Sequence, residues 1–494
     1  MLKLMSEKSE IIIGLETHVQ LTNLKTKLFC DCSTDYRGKR PNTHTCPVCL
    51  GLPGTLPVLN GKAVEDAVMV ALALNSKIQE RTLFFRKNYF YPDMAKNYQI
   101  SQYDKAGGVP IAIGGFVTMQ VNHHEKIVRI RRLQLEEDPA KLVHLGPIDL
   151  SPYTLIDYNR AGISLLEIVT EPDIATAQEA RLYLQKLQSI LEHLGVSNSR
   201  LEGSMRCDAN ISMAGRNRVE VKNISSFKEV ERALNFEIIR QKNLVLKDLE
   251  VKMETRHWDE TRRVTISLRT KESEEDYRYF PEPNLPPVIL SEDYIDNIKK
   301  MMPELPDSRK KRLIRQYRLP PYNAAVITSS KYFADFFEEA IKFHRDPKKV
   351  SNWMMTDLLK TLHDQNVELE DSKITPKKLA EMIHLIDEGI ISGKIAKKIL
   401  PRIVETGQSP KEIVKRYELT RITSREKIKD LVEEVFSKNG KAVQDALQDD
   451  SAVNYLIGQL MKLSSGRVDP LIANLIIRES LKEAKNKGNF ESSR

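Results

Sequence analysis

IIIGLETHVQL, residues 11–21, decides how the first half of this chain folds. Read with a period of two, Ile11, Ile13, Leu15, Thr17, Val19 and Leu21 share one side, and Glu16, His18 and Gln20 share the other. That alternation predicts a half-buried strand with one face on a core. A carboxylate, an imidazole and an amide in one row on a rigid strand suit a metal ion or a phosphate-bearing substrate. On this strand alone, a solvated outer face fits equally well.

The pattern recurs further along the chain. In MRCDANISM (205–213), Met205, Cys207, Ala209, Ile211 and Met213 face one way, and Arg206, Asp208, Asn210 and Ser212 the other. AGRN (214–217) signals a turn, and RVEVKNI follows with Val219 and Val221 inward and Arg218, Glu220 and Lys222 outward. This hairpin carries a polar platform of mixed charge and places Cys207 in the core. Glu136, Glu137 and Asp138 adjoin at a strand end, where carboxylates repel unless a cation sits among them. FRKNYFYPD adds Arg86 and Lys87 beside Tyr89 and Tyr91. Oxygen ligands with basic residues are what Mg²⁺ and nucleotide phosphates require, so the sum favours a phosphoryl-transfer site. The nearest Walker-like string, GIISGK (389–394), is one residue short and lacks the following Ser or Thr, and it reads as a helix break.

Cys30 and Cys32 form C-x-C, and Cys46 and Cys49 form C-x-x-C, a short loop apart. Two such pairs can close a tetrahedral sulfur shell around a structural Zn²⁺, with buried free thiols as the alternative. Five cysteines in 494 residues do not make a disulfide scaffold. Hydrophobic residues at 41% and charged ones at 29% exclude a disordered or collagenous chain. MLKLMSEKSE has no apolar core of a signal peptide, and the longest apolar run, AVMVALAL (67–74), is too short to span a bilayer. A cytoplasmic location is expected.

The expected fold is α+β. A strand-rich first part with a few helices gives way near FPEPNLPPVIL (280–290) to an almost wholly helical remainder. One helix in the first part is expected from about Asp173 to Gly195, with Leu184, Leu187, Leu191 and Leu194 on its core stripe. The net charge of +8 splits into about +1 over residues 1–300 and about +7 beyond. KKRLIRQYR (310–318), DPKKV (346–350) and KRYELTRITSREK (415–427) therefore form the expected polyanion surface.

Together these segments resemble the GatB family, the B subunit of the glutamyl/aspartyl-tRNA amidotransferase. The likeness runs in order through GLETHVQL, TCPVCLGLPGTLPVLN, RKNYFYPDMAKNYQISQYD, LEEDPAK, YNRAGISLLEIVTEPD, EGSMRCDANIS, VEVKNISSF, DYRYFPEP, MPELPDSR, ISGKIAKK and IGQLMKLSSGRVDP. It implies a cradle-shaped catalytic domain over 1–297, a helical domain over 298–406 and a YqeY-like, tRNA-binding tail over 407–494. It also implies a heterotrimer with an amidase subunit and a small C subunit. ATP would phosphorylate the side-chain carboxylate of Glu or Asp mischarged on tRNA(Gln) or tRNA(Asn), and channelled ammonia would displace the phosphate. By the same resemblance Glu16, His18, Glu136 and Glu137 would hold Mg²⁺. Lys87 and Arg206 would neutralise phosphate, and Asp208 would orient bound water or ammonia. The family usually has His where this chain has Gln134, Ala-Gly where it has Pro139-Ala140, and two glutamates where it has Leu201-Glu202. The competing expectations are a catalytically silent tRNA-binding scaffold and a metal hydrolase built on the same face.

Overall fold

The computed structural model describes residues 11–491 apart from 106, 123, 147–150, 214, 271–276 and 450. MLKLMSEKSE, Ala214 of the expected turn and the final SSR lie outside the described residues. The chain divides into two compact units, residues 1–306 and 307–494.

In the first unit the described residues form a sheet of thirteen strands. Ten of them lie on one continuous path: β1 (Ile11–Gln20), β2 (Phe84–Asn88), β3 (Tyr98–Gln102), β4 (His124–Glu137), β5 (Ser164–Thr170), β6 (Met205–Met213), β7 (Val219–Ile224), β8 (Glu254–Asp259), β9 (Val264–Thr270) and β10 (Phe280–Pro281). Their order across the sheet is β9-β8-β7-β6-β1-β5-β4-β3-β2-β10. β7 and β8 run parallel; the other neighbours on this path are antiparallel.

The alternation read in β1 is realised. Ile13, Leu15 and Val19 are buried with Cys207, Ala209, Ile211, Val219 and Val221 on one face. Helices α1 (Gly61–Ala73), α2 (Ala177–Leu194) and α3 (Phe227–Leu246) cover that face. The α2 stripe of Leu184, Leu187, Leu191 and Leu194 is buried as expected. Each of these side chains contributes about 1.5–3 kcal/mol of apolar burial. The helix begins later than the expected Asp173, because the Asp173 carboxylate accepts from the Arg129 backbone and guanidinium and Ile174 bridges to Ile13. Thr176 caps it by accepting from Glu179 N, and Gly195 closes it at φ 74°.

Helix α4 (Glu292–Met301) packs on the first core through Ile298, and Leu305 joins it too. The expected boundary at 297/298 thus falls inside a helix, and the division lies after Pro306. The second unit holds two apolar cores. One runs from Leu313 to Val414, so the segment after the expected 406/407 boundary, with Ile413 and Val414, still belongs to it. The other is built from the helices Arg425–Lys438, Gly440–Gln448, Ser451–Leu463 and Pro470–Glu491. GIISGK is a helix junction: Gly389 has φ 70°, and Ser392 caps the helix Gly393–Thr406.

Candidate active site and metal centre

Strand register carries distant residues into one row on the open face of the sheet. Glu16 lies opposite Asp208, and His18 lies opposite Arg206 on one side and Glu167 on the other. Glu167 faces Gln134, Leu165 faces Glu136, and Glu136 faces Ser101. Asn210 faces Glu220 across the β6–β7 pair.

Two ligand groups result. In the first, one donor atom each from His18, Glu136 and Glu167 lies within 4.8 Å of the others. His18 Nε2 is 3.7 Å from Glu136 Oε1, and Ser101 Oγ donates to Glu136 Oε2 at 3.1 Å. Gln134 Nε2 donates to Glu167, and the Arg132 guanidinium stands 3.7 Å from it. Burial, reinforced by the charge of Glu167, pushes the Glu136 carboxyl up to about 7, against the pull of His18 and Lys87. Burial disfavours the charged form and a neighbouring carboxylate adds to that, whereas a bound cation would favour it. One imidazole and two carboxylates therefore fit a divalent ion such as Mg²⁺.

The second group is Glu16, Asp208 and Glu220, again within 4.8 Å. Lys222 Nζ lies 2.9 Å from Asp208 and 3.4 Å from Glu220. Burial would raise Asp208, but Lys222 and His18 hold its carboxyl below the ordinary range. Glu16 goes the other way: burial and then Glu167 raise it.

Glu137 joins neither group. It is one residue out of phase with Glu136, so it points to the opposite side of the sheet. There it accepts from Lys96 Nζ at 2.6 Å and from Ile100 N at 2.8 Å. The four expected Mg²⁺ residues are thus divided: His18 and Glu136 together, Glu16 beside them in the next group, and Glu137 elsewhere. Asp138 is also occupied, by Arg206 at 2.6 Å, Gln20 at 2.6 Å and Arg160 at 3.7 Å. Burial opposes ionisation of Asp138, but Arg206 and Arg160 hold its carboxyl below the usual range. The clamp fixes the Arg206 head group and leaves its buried Nε without a hydrogen-bond partner.

Lys87 stands over the rings of Tyr277 at 4.9 Å and Tyr89 at 5.8 Å. Tyr279 stacks on Tyr103 with centroids 3.9 Å apart. Arg86 points away and makes a bidentate pair with Glu282. Glu167 escaped the sequence reading because SLLEIVT (164–170) is buried on both faces and shows no alternation. The one signal was a lone carboxylate inside an otherwise apolar run.

The four N-terminal cysteines come together, and all five cysteines of the chain are free thiols. Cys32 and Cys49 Sγ are 4.0 Å apart, against about 3.8 Å between sulfurs of a tetrahedral zinc site. Cys46 N donates to Cys49 Sγ at 3.2 Å. A hydrogen bond from Cys30, against burial and helped by the charge of Lys27, draws Cys49 down to about 4. Lys27 is fully buried, and its Nζ donates to His44 O at 2.8 Å and lies 3.7 Å from Cys49 Sγ. Buried Asn159 tethers the loop by accepting from His44 N and donating to Arg40 O. Four sulfurs so placed fit Zn²⁺ with no open position. His44 supplies backbone contacts here.

Part of the expected polyanion surface is committed to internal ion pairs. Arg312 binds Glu338, Lys349 binds Asp387, Arg421 binds Asp469, and Arg425 binds Glu479. Lys311, Arg315 and Arg318 are exposed.

Residues 11–296 match the GatB/GatE catalytic domain, and residues 335–481 match the GatB domain. A protein of Sulfolobus acidocaldarius named as the B subunit of aspartyl/glutamyl-tRNA(Asn/Gln) amidotransferase is 54% identical over 95% of this chain and 99% of its own length. Proteins of the same name from Thermotoga maritima and Carboxydothermus hydrogenoformans are 49% and 46% identical, covering 95% and 96% of this chain and 98% of each relative. The chain belongs to the GatB family, the B subunits of aspartyl/glutamyl-tRNA(Asn/Gln) amidotransferase.

Proposed function

We propose that the open face around His18, Glu136 and Glu167 is where ATP activates the side-chain carboxylate of Glu or Asp esterified to tRNA, and where that carboxylate becomes an amide. The observation that carries this reading is the convergence of an imidazole, two buried carboxylates and the bases Lys87 and Arg206 on one sheet face, in a chain of this family. A carboxylate oxygen attacks the γ-phosphorus and ADP leaves, giving an acyl phosphate. Ammonia then attacks the acyl carbon, and inorganic phosphate departs with the oxygen. Phosphate is a far better leaving group than oxide, which is why activation comes first.

Phosphoryl transfer asks the protein for position and charge more than for covalent chemistry. His18, Glu136 and Glu167 would hold Mg²⁺. When bound there, that ion neutralises phosphate oxygens. Arg206, held by Asp138, aims a fixed cation at the transferred group, and Lys87 supplies a second from β2. The Tyr89 and Tyr277 rings beside Lys87 position its ammonium through cation–π contact. Zn²⁺ in the cysteine cluster would be structural and would brace the loop that ends at α1. The partners in this reading are an amidase subunit that releases ammonia from glutamine, a small C subunit, and tRNA(Gln) or tRNA(Asn) in the cytoplasm. No helix among the described residues is long and apolar enough to cross a membrane.

The test combines the full chain, its two partner subunits, Glu-tRNA or Asp-tRNA, glutamine and ATP. Formation of amide and ADP in the wild type, and loss of both in Glu136→Gln, is the expected result. Unchanged tRNA binding with no ATP cleavage in the wild type overturns the reading in favour of a scaffold.

A further inference from the structure

Lys27 is 0% exposed, and lysine is almost never fully buried unless an anion accompanies it. Its Nζ contacts are the His44 carbonyl at 2.8 Å and Cys49 Sγ at 3.7 Å. Among the described residues no carboxylate pairs with it. The only anion that this ammonium can meet is therefore the sulfur cluster. The backbone aims it there. Lys27 N donates to Cys32 O at 3.0 Å and Thr26 bridges to Ser33, which fixes the two arms of the loop that carries Cys30 and Cys32. Leu28 N donates to Gly162 O at 2.9 Å. Gly162 has φ 85°, and a Cβ on it would lie 3.4 Å from Cys49 Cβ and 3.5 Å from Lys27 Cδ. The lysine stem and Cys49 thus share the space that a missing side chain leaves.

Charge explains what a cation does in that place. Four thiolates around one Zn²⁺ carry two net negative charges, which are costly to hold away from water without a partner. One ammonium halves that excess. Its N–H···S contact also draws electron density from Cys49 in particular. A thiolate that has given up density is a poorer nucleophile.

We infer that Lys27 sets the reactivity of the sulfur centre: it is a positioning residue whose buried ammonium keeps the zinc-bound thiolates, Cys49 above all, inert towards electrophiles. The centre then holds its metal instead of releasing it when such reagents arrive. This role rests on the reading of the cluster as a zinc centre, which metal analysis of the wild type tests separately. It is independent of ATP and tRNA.

Alkylation of the zinc-loaded full chain with iodoacetamide, with zinc release followed by a chromogenic chelator, tests the inference. A sulfur attacks the reagent's carbon, iodide leaves, and the thioether that forms no longer holds the metal. Lys27→Met keeps an apolar stem of similar length and removes both charge and donor. It should release zinc about 10-fold faster than the wild type. In the Co²⁺-loaded variant the sulfur-to-metal charge-transfer band should move to longer wavelength, because electron-richer sulfur gives up charge more readily. The tetrahedral cobalt bands also report that the site is assembled. Unchanged release and an unshifted band, with only a lower melting temperature, reduce Lys27 to a brace for the His44 carbonyl and overturn the inference. The wild type supplies a check that needs no variant: peptide mass spectrometry should find Cys49 the last of the four cysteines to be alkylated. Cys49 modified first overturns the inference even if Lys27→Met fails to fold. A wild type without zinc removes the zinc reading itself, and with it this role.

Discussion

The cysteine cluster and the open face of the sheet are both anionic ligand groups in the first unit, but they are built for opposite ends. The cluster gathers four sulfurs within 20 residues of chain, with buried Lys27 beside Cys49. Its donors are soft, and four thiolates around one Zn²⁺ would leave no position for a substrate. The sheet face gathers hard oxygens and one imidazole from five strands between residues 16 and 220. Burial and the neighbouring Glu167 hold Glu136 up at about 7 there. In the reading proposed above, a closed sulfur shell stabilises a loop, whereas the oxygen face takes up and turns over a phosphate. Burial and Glu167 drive Glu136 up, while against burial Arg206 and Arg160 hold Asp138 down and Lys222 and His18 hold Asp208 down, a divergence that suits an ion-binding face.

The sharpest way to break the comparison is to disarm each side and see what is lost. Glu136→Gln or Glu167→Gln should lower ATP-dependent amide formation by about a thousandfold with the melting temperature nearly unchanged, measured by ADP release and calorimetry. Glu137→Gln should behave differently, because Glu137 is paired with Lys96: it should unfold at lower temperature and leave divalent-ion binding intact. Removing one member of a buried pair costs about 3–5 kcal/mol, so Asp138→Ala, which strands Arg206, should show the same large fall in stability by chemical denaturation.

Next in size is the sulfur side. Metal analysis should find one zinc per chain, and Cys49→Ser should abolish it and destabilise residues 25–60, detected as faster amide exchange confined to that loop. ADP release should fall far less than in Glu136→Gln. An equal loss would erase the distinction between a structural and a working cluster.

The smallest effect is in pH dependence. Glu136 has its folded pKa raised, so its contribution to stability is full below the ordinary carboxylate value and is lost as pH rises through about 7. Asp138 and Asp208 are lowered, so theirs is present above that value and lost in acid. The metal-free chain should therefore become slightly less stable between about pH 4.5 and 7, and saturating Mg²⁺ should flatten that slope. A metal-free melting temperature independent of pH across this window would contradict the charge picture.

Much of this architecture was legible in the sequence. The alternation in IIIGLETHVQL and MRCDANISM identified strands with one polar face, because a period of two has no other structural meaning over that length. Cysteine spacing identified the sulfur cluster because its ligands are local. Other features were not legible. Glu136 and Glu137 are adjacent letters with equal chemistry, and only the pleat separates a face ligand from an ion pair on the other side. Glu167 hid in a strand without alternation. Gln134, where the resemblance implied His, is the donor that orients Glu167. The basic stretches of the second half read as a polyanion surface, but Arg312, Arg421 and Arg425 are paired with acids distant in sequence.

By itself the sequence determined which residues alternate, which helices are amphipathic and which thiols can meet, since each depends on neighbours a few positions apart. Tertiary structure decided which carboxylates share a site. His18, Glu136 and Glu167 are brought together only by the register of three antiparallel strands, and a shift of one residue in that register would turn each of them to the apolar side.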